Sequence, residues 1–216
     1  MTLNYSIKGT FALGKEMSNI TFKQYRNIDL SIFTALTLIS EGVATLATGR
    51  WFAAQPVAIS TTIVFICILM MRWNWFAAIP ALVGGVVFCI VSEAGISQIV
   101  IYGLGNCFGL ISMLWFKLFK KDEIRKDGFK LVLFVLGTYV SVQLGRWVIS
   151  LCFGGALWNL VGYLTTDIIS LLFALVIMFI LRSMDGMIED QKAYLFRLER
   201  QRNEELKAQY YTYGDE

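Results

Sequence analysis

Residues Leu131–Phe153 read LVLFVLGTYVSVQLGRWVISLCF, an apolar run with an arginine, Arg146, well inside it. A membrane span needs about 20 mostly apolar residues, so this stretch is long enough to cross a bilayer. Arginine placed at mid-bilayer costs roughly 2.5–3.5 kcal/mol on insertion scales. Arg146 is therefore expected to face a cavity or an acidic partner supplied by another part of the chain.

The remainder is of the same kind. Of the 216 residues, 56% are hydrophobic and 16% charged, with a mean hydropathy of +0.61. Soluble domains run about 45–50% apolar and about 25% charged. The excess lies in long runs, which points to an all-α polytopic membrane protein. Histidine is absent, which removes the commonest metal ligand and general base. Cys67, Cys89, Cys107 and Cys152 fall in separate apolar runs without C-x-x-C spacing and read as small packing residues. Residues 1–27 lack the apolar core of a cleavable signal peptide, so the first span is expected to direct its own insertion.

Six spans are expected, at about residues 28–49, 57–71, 76–91, 98–119, 131–153 and 158–181. The chain then divides into an N-terminal tail (1–27), a six-helix transmembrane domain (28–183) and a helical C-terminal tail (184–216). Trp73 and Trp75 flank the turn Arg72–Asn74 and suit a membrane interface. Six spans put both termini on one side. Every Lys and Arg except Arg50 and Arg146 falls on or beside that side, so the positive-inside rule places the termini in the cytoplasm.

With that topology, depths can be compared at about 1.5 Å per residue. Arg146 sits roughly 10 Å below the outer end of its span, and Asp167, Asn106 and Glu41 come to a similar level. Each belongs to a polar stripe at helical spacing. The first span has Thr34, Thr37, Glu41, Thr45 and Thr48; the fourth has Gln98, Tyr102 and Asn106. The fifth has Tyr139, Gln143, Arg146 and Ser150; the sixth has Asn159, Tyr163, Asp167 and Ser170. Four stripes meeting at one depth point to a water-accessible pocket open to the outside. A buried ion pair that only fixes helix packing is the plainer alternative. Two acids and one base exceed a simple pair, however, and the tyrosines add hydrogen-bonding aromatic faces, so a pocket is the expectation.

A second pattern is one of small residues: Ala77, Ala81 and Gly85 in the third span, Gly105 and Gly109 in the fourth, Ser31 and Ala35 in the first. Such faces let helices approach closely, either within the bundle or against another membrane subunit. The tail after Asp185 reads as a solvated or interfacial helix to Gln209, or as a docking arm. No phosphate-binding G-x-x-x-x-G-K-[ST] loop, H-E-x-x-H or G-x-S-x-G occurs, so neither ATP binding through a P-loop nor an enzyme is expected. No metal site, cofactor or nucleic-acid partner is expected either.

Six short spans, an outward pocket, small-residue faces and the absence of an ATPase resemble the S-components of energy-coupling factor (ECF) transporters. The run Leu164-Thr165-Thr166-Asp167 and the segment DGMIEDQKAYLFRL are similar to S-component-like proteins of Gram-positive bacteria, over roughly Ile28–Leu198. The resemblance implies a substrate-binding subunit in the bacterial cytoplasmic membrane that captures a small water-soluble micronutrient, vitamin-like or heterocyclic. It implies as partners a transmembrane T-component and two ATPase subunits, which bind the ATP.

On that expectation Glu41, Tyr102, Asn106, Tyr139, Gln143, Arg146, Asn159, Tyr163 and Asp167 line the pocket. Arg146 meets an anionic or carbonyl group, while Glu41 or Asp167 accepts hydrogen bonds from ring nitrogens or hydroxyls. Trp51, Glu93 and Trp158 belong to the lid connections, and Ser31, Ala35, Ala77, Ala81 and Gly85 are candidate docking positions. The family's A-x-x-x-A face on the first span is matched loosely, by Ser31-x-x-x-Ala35. The alternative is a non-transporting membrane scaffold whose charged C-terminal helix recruits a partner.

Overall fold

Apolar periodicity becomes helix along most of the described residues. A computed structural model describes residues 21–52, 54, 57–198, 200, 201 and 204, which are all-helical apart from turns and short extended links. The expectations for residues 1–20, for Ala53, Gln55 and Pro56 of the first connection, and for most of the chain beyond Leu198 lie outside the described residues.

Helix α1 (Phe22–Trp51) starts at a capping box, in which the Thr21 hydroxyl accepts from the Gln24 amide and the Gln24 side chain accepts from the Thr21 amide. It buries Leu30, Phe33, Thr37, Glu41, Thr45 and Thr48, one stripe at helical spacing. Its other faces expose Ile32, Ile39, Val43 and Leu46, the pattern of a helix that lipid surrounds. Helices α2 (Thr62–Trp73), α3 (Ala78–Val91) and α4 (Ile96–Cys107) follow. A 3-10 stretch (Phe108–Leu114) and the short α5 (Trp115–Leu118) prolong α4. Next come α6 (Lys121–Lys126), α7 (Gly128–Cys152), α8 (Asn159–Thr166) and α9 (Ile168–Leu181).

By length and composition, four helical runs can cross a membrane: Phe22–Trp51, Thr62–Val91, Ile96–Leu118 and Gly128–Cys152. The pair α8–α9, bent by 43°, makes a fifth if counted as one span. The run Thr62–Val91 is not straight. Asn74 breaks it at φ 54°, in the left-handed half of backbone space that Asn tolerates better than most residues. A Cβ built on Gly84 would lie 2.0 Å from Thr62 Oγ1, whereas a continuous helix would hold those residues about 33 Å apart. The chain therefore doubles back at Asn74, and α2 and α3 lie side by side.

Helix α2 is the centre of the bundle. Ile63, Ile66, Cys67, Leu69, Met70 and Met71 are fully buried, as a helix that is apolar on every side must be. Helices α4 and α7 touch almost backbone to backbone. A Cβ on Gly105 would meet Arg146 Cα at 2.7 Å, and one on Gly145 would meet the Gly105 carbonyl oxygen at 2.5 Å. This contact fixes Arg146 beside the end of α4.

One end of the bundle is tied by charge. Arg72 donates to both carboxylate oxygens of Asp29 and to the carbonyls of Gly186 and Met187, and Trp73 donates its indole N–H to Asp29. Lys121 bridges the Met71 carbonyl and Asp190, while Arg125 pairs with Glu189. Burial pushes the Lys121 ammonium below the usual lysine range, against the pull of Asp190. The expected helix from Asp185 does not start there. Residues 185–190 form turns, with Gly186 at φ 74° and Ile188 buried in the core, and residues 191–198 are helical. The carbonyls that a helix would have used internally are those that Arg72 takes.

Candidate functional site

Of the polar residues of the spans, Asn106, Gln143, Arg146 and Asp167 meet in one hydrogen-bonded belt. Arg146 and Asp167 are 3% and 2% exposed, and their ion pair measures 2.7 Å between Nη1 and Oδ2. The same Nη1 donates to Gln143 Oε1 at 3.2 Å, and Nε donates to Asn106 Oδ1 at 2.9 Å. Gln143 in turn donates to Asp167 Oδ2 at 2.9 Å. Asn106 turns its amide N–H to the Ala81 carbonyl at 3.2 Å. A residue on each of α4 and α7 and at the α8–α9 break is thus locked to the others, with α3 held through its backbone.

Asp167 sits where the sixth span breaks. It ends α8 and caps α9 at φ −103°, ψ 12°, so its side chain leaves the break and points into the bundle. The Ser170 hydroxyl donates to Asp167 Oδ1, and Ser170 Oγ accepts from the Ser60 amide at 2.7 Å. Ser60 belongs to a non-helical stretch, residues 57–60, that runs beside the break; there the Ala58 amide donates to the Thr166 carbonyl at 2.9 Å. Two unwound pieces of backbone therefore pair inside the bundle. In a membrane such backbone is tolerated only where protein buries it or where it lines a cavity.

Glu41 closes the belt from α1. Its Oε2 accepts from the amides of Thr61 and Thr62, at 2.7 and 2.9 Å, and from both hydroxyls at 2.9 Å. The first amides of α2 have no intrahelical acceptor, and a carboxylate at a helix N-terminus also opposes the positive end of its dipole. Glu41 Oε1 is buried without a hydrogen-bond partner among the described residues. Glu41 is thus a cap supplied by a neighbouring helix, joined to Asp167 among the described residues through Thr62, Ser60 and Ser170. The run Ser60-Thr61-Thr62 ahead of an apolar stretch is the sequence signal of a helix start, and it is what marks these missed residues.

The aromatic candidates cover the ion pair. The Arg146 guanidinium lies 4.5 Å from the centroid of the Tyr102 ring, a cation–π arrangement. Tyr102 stacks on Phe88 at 4.8 Å and meets Tyr163 edge-on at 6.2 Å. Tyr139 is buried and donates its hydroxyl to the Leu164 carbonyl. Asn159, Glu93, Trp51 and Trp158 are exposed, the two tryptophans at 78% and 83%. They lie at the end of the bundle opposite the charged ties, and Glu93 holds a φ of 54° in the turn after α3.

The small-residue positions separate into two groups. Ala77 and Ala81 are fully buried, and a Cβ on Gly85 would meet the Tyr102 backbone at 2.6 Å. That face is used inside the chain, to bring α3 against α4, which corrects its reading as a docking surface. Ser31 and Ala35 are exposed. Among the described residues no cluster of metal-ligating side chains occurs. Comparison with family models, curated proteins and solved structures finds no match to this chain.

Proposed function

We propose that this chain is the substrate-binding membrane subunit of an ECF-type importer, taking a small, ring-bearing, water-soluble micronutrient from outside. The observation that carries the reading is a buried charge network built at two facing interruptions of helix, residues 57–60 and Asp167. Discontinuous helices with ionisable groups at mid-depth are how transport proteins build solute sites, and intramembrane charge is costly enough to need a purpose.

On this reading the crossings number six: α1, the two arms α2 and α3, the α4–α5 run, α7, and the bent pair α8–α9. The start of α1 and residues 185–198 then share the face that carries the Asp29–Arg72 and Lys121–Asp190 ties, and the Lys and Arg excess supports a cytoplasmic position for that face. The solute enters at the opposite end, past Trp51 and Trp158, and meets Asn159 and the rings of Tyr163 and Tyr102. Arg146, held by Asp167, forms the floor. Partner subunits bind the ATP and couple it to uptake.

The test uses the intact chain, gently solubilised with whatever partners accompany it. Asn159→Ala and Tyr163→Ala variants remove exposed or half-buried groups and leave the central ion pair in place. Loss of a co-purifying small molecule and of uptake, with unchanged thermal unfolding, is expected. Full uptake in both variants contradicts the reading.

A second reading, a membrane scaffold, is favoured by the docking of residues 185–190 onto the bundle through Arg72, Lys121 and Arg125. For a scaffold, truncation after Leu198 abolishes function while Asn159→Ala and Tyr163→Ala are silent.

A further inference from the structure

Where α4 gives way to the 3-10 stretch Phe108–Leu114, the helix tightens to three residues per turn, and side chains three apart fall in line. Phe108, Ile111 and Leu114 form such a line, and Lys117 continues it. Together with Trp75 and Met113 they border an outward-facing groove of about 600 Å³. On its other side the same run is held against α7 through Gly105 and Gly109. Ile111, Leu114 and Trp75 are 50%, 55% and 70% exposed, and Lys117 is exposed at the end of the row.

Part of the charge at this end is paired. Lys121 is engaged by Asp190, Arg125 by Glu189 and Lys130 by Glu123. Lys117, like Lys120 and Lys126, forms no salt bridge among the described residues, and of these it is the one that borders the groove. The site is thus an apolar rail as long as part of an acyl chain, closed by the Lys117 ammonium, with an indole beside it of the kind that settles at the headgroup level.

The geometry points to a binding site for an anionic phospholipid, one acyl chain along Phe108–Ile111–Leu114 and its phosphate on Lys117. This site needs only the membrane-spanning character of the chain and stands apart from the solute reading, so each can fail alone. Charge complementarity selects the lipid: a zwitterionic headgroup gains less from a lone ammonium, and an apolar partner helix would leave it buried and unpaired.

The full chain is reconstituted in bilayer discs of equal parts phosphatidylcholine and phosphatidylglycerol. Native mass spectrometry then reads which lipids stay bound. Wild type is expected to retain phosphatidylglycerol in preference. Lys117→Gln reduces that preference about fivefold, the equivalent of the about 1 kcal/mol that one Lys contributes near an anionic surface. Lys117→Arg keeps it, and Ile111→Trp, which fills the rail, lowers retention of both lipids. An unchanged preference in Lys117→Gln overturns the proposal. So does a second copy of the chain or a partner subunit held on that face in place of lipid.

Discussion

Replacing Arg146 or Asp167 singly and together separates a buried pair from an exposed one. Arg146→Met leaves Asp167 in the interior with only the Gln143 amide and the Ser170 hydroxyl. Asp167→Leu leaves the guanidinium with Asn106, Gln143 and the Tyr102 ring. Both side chains are almost wholly shielded, so each single change strands a charge and is expected to cost about 3–5 kcal/mol. The double variant Arg146→Met/Asp167→Leu strands none and fills similar volume. It is expected to recover most of that loss, giving a coupling energy of about 3 kcal/mol or more. Denaturant unfolding of the intact chain in mild detergent reads all four proteins. Losses below about 1 kcal/mol in the single variants, the size for a screened surface pair, refute the reasoning. Simple addition of the two losses in the double variant refutes it equally. The same proteins carry a functional readout: the double variant regains stability but not the bound solute if the pair is the floor of a site.

Three further outcomes are expected. Glu41→Ala removes the acceptor of four donors at the start of α2 and is expected to cost more than about 2 kcal/mol, since each buried donor left unmade costs about 1–3 kcal/mol. Glu41→Gln costs less, and equal melting of the two variants contradicts the capping role. Gly105→Ala forces a Cβ to within 2.7 Å of the Arg146 backbone and is expected to lose about 1–3 kcal/mol; an unchanged unfolding midpoint shows that α4 and α7 are not so close. Lys130 holds the exposed Glu123 carboxyl below its ordinary value. The stability that this pair adds is complete above the unfolded value of 4.5 and is lost as pH falls through the lower folded one. Glu123→Gln removes that part of the acid limb of a stability–pH curve, as does high salt; a curve unchanged by the substitution contradicts the pairing.

Much of this arrangement is legible in the amino-acid sequence. The stripes carrying Asn106, Gln143, Arg146 and Asp167 are on the faces that meet, because an apolar helix has few places to put a charge. The turn at Arg72–Asn74 was marked by Trp73 and Trp75, and Asn74 is where the chain reverses. The partners were less legible. Arg146 was expected to present itself to a solute, whereas Asp167, Gln143 and Asn106 already take its donors. Glu41 was expected in the same pocket, but its partners are backbone amides twenty residues on, and backbone donors leave no trace in composition. The break at Asp167 was invisible for a related reason: an Asp inside an apolar run signals charge, not the end of a helix. Ala77, Ala81 and Gly85 announced a close contact correctly, but a small-residue face does not say whether its partner lies in the same chain. Residues 185–190 read as helix because their polarity is right; the Gly186 backbone and the carbonyls drawn to Arg72 decide otherwise.

The most direct measurement is native mass spectrometry of the chain extracted gently from its own membrane, wild type beside Tyr163→Ala. A small organic molecule is expected on the wild type together with an ATPase-bearing assembly, with loss of the molecule alone from the variant. A wild-type chain that carries no solute, or one that the variant carries equally well, contradicts the proposed function.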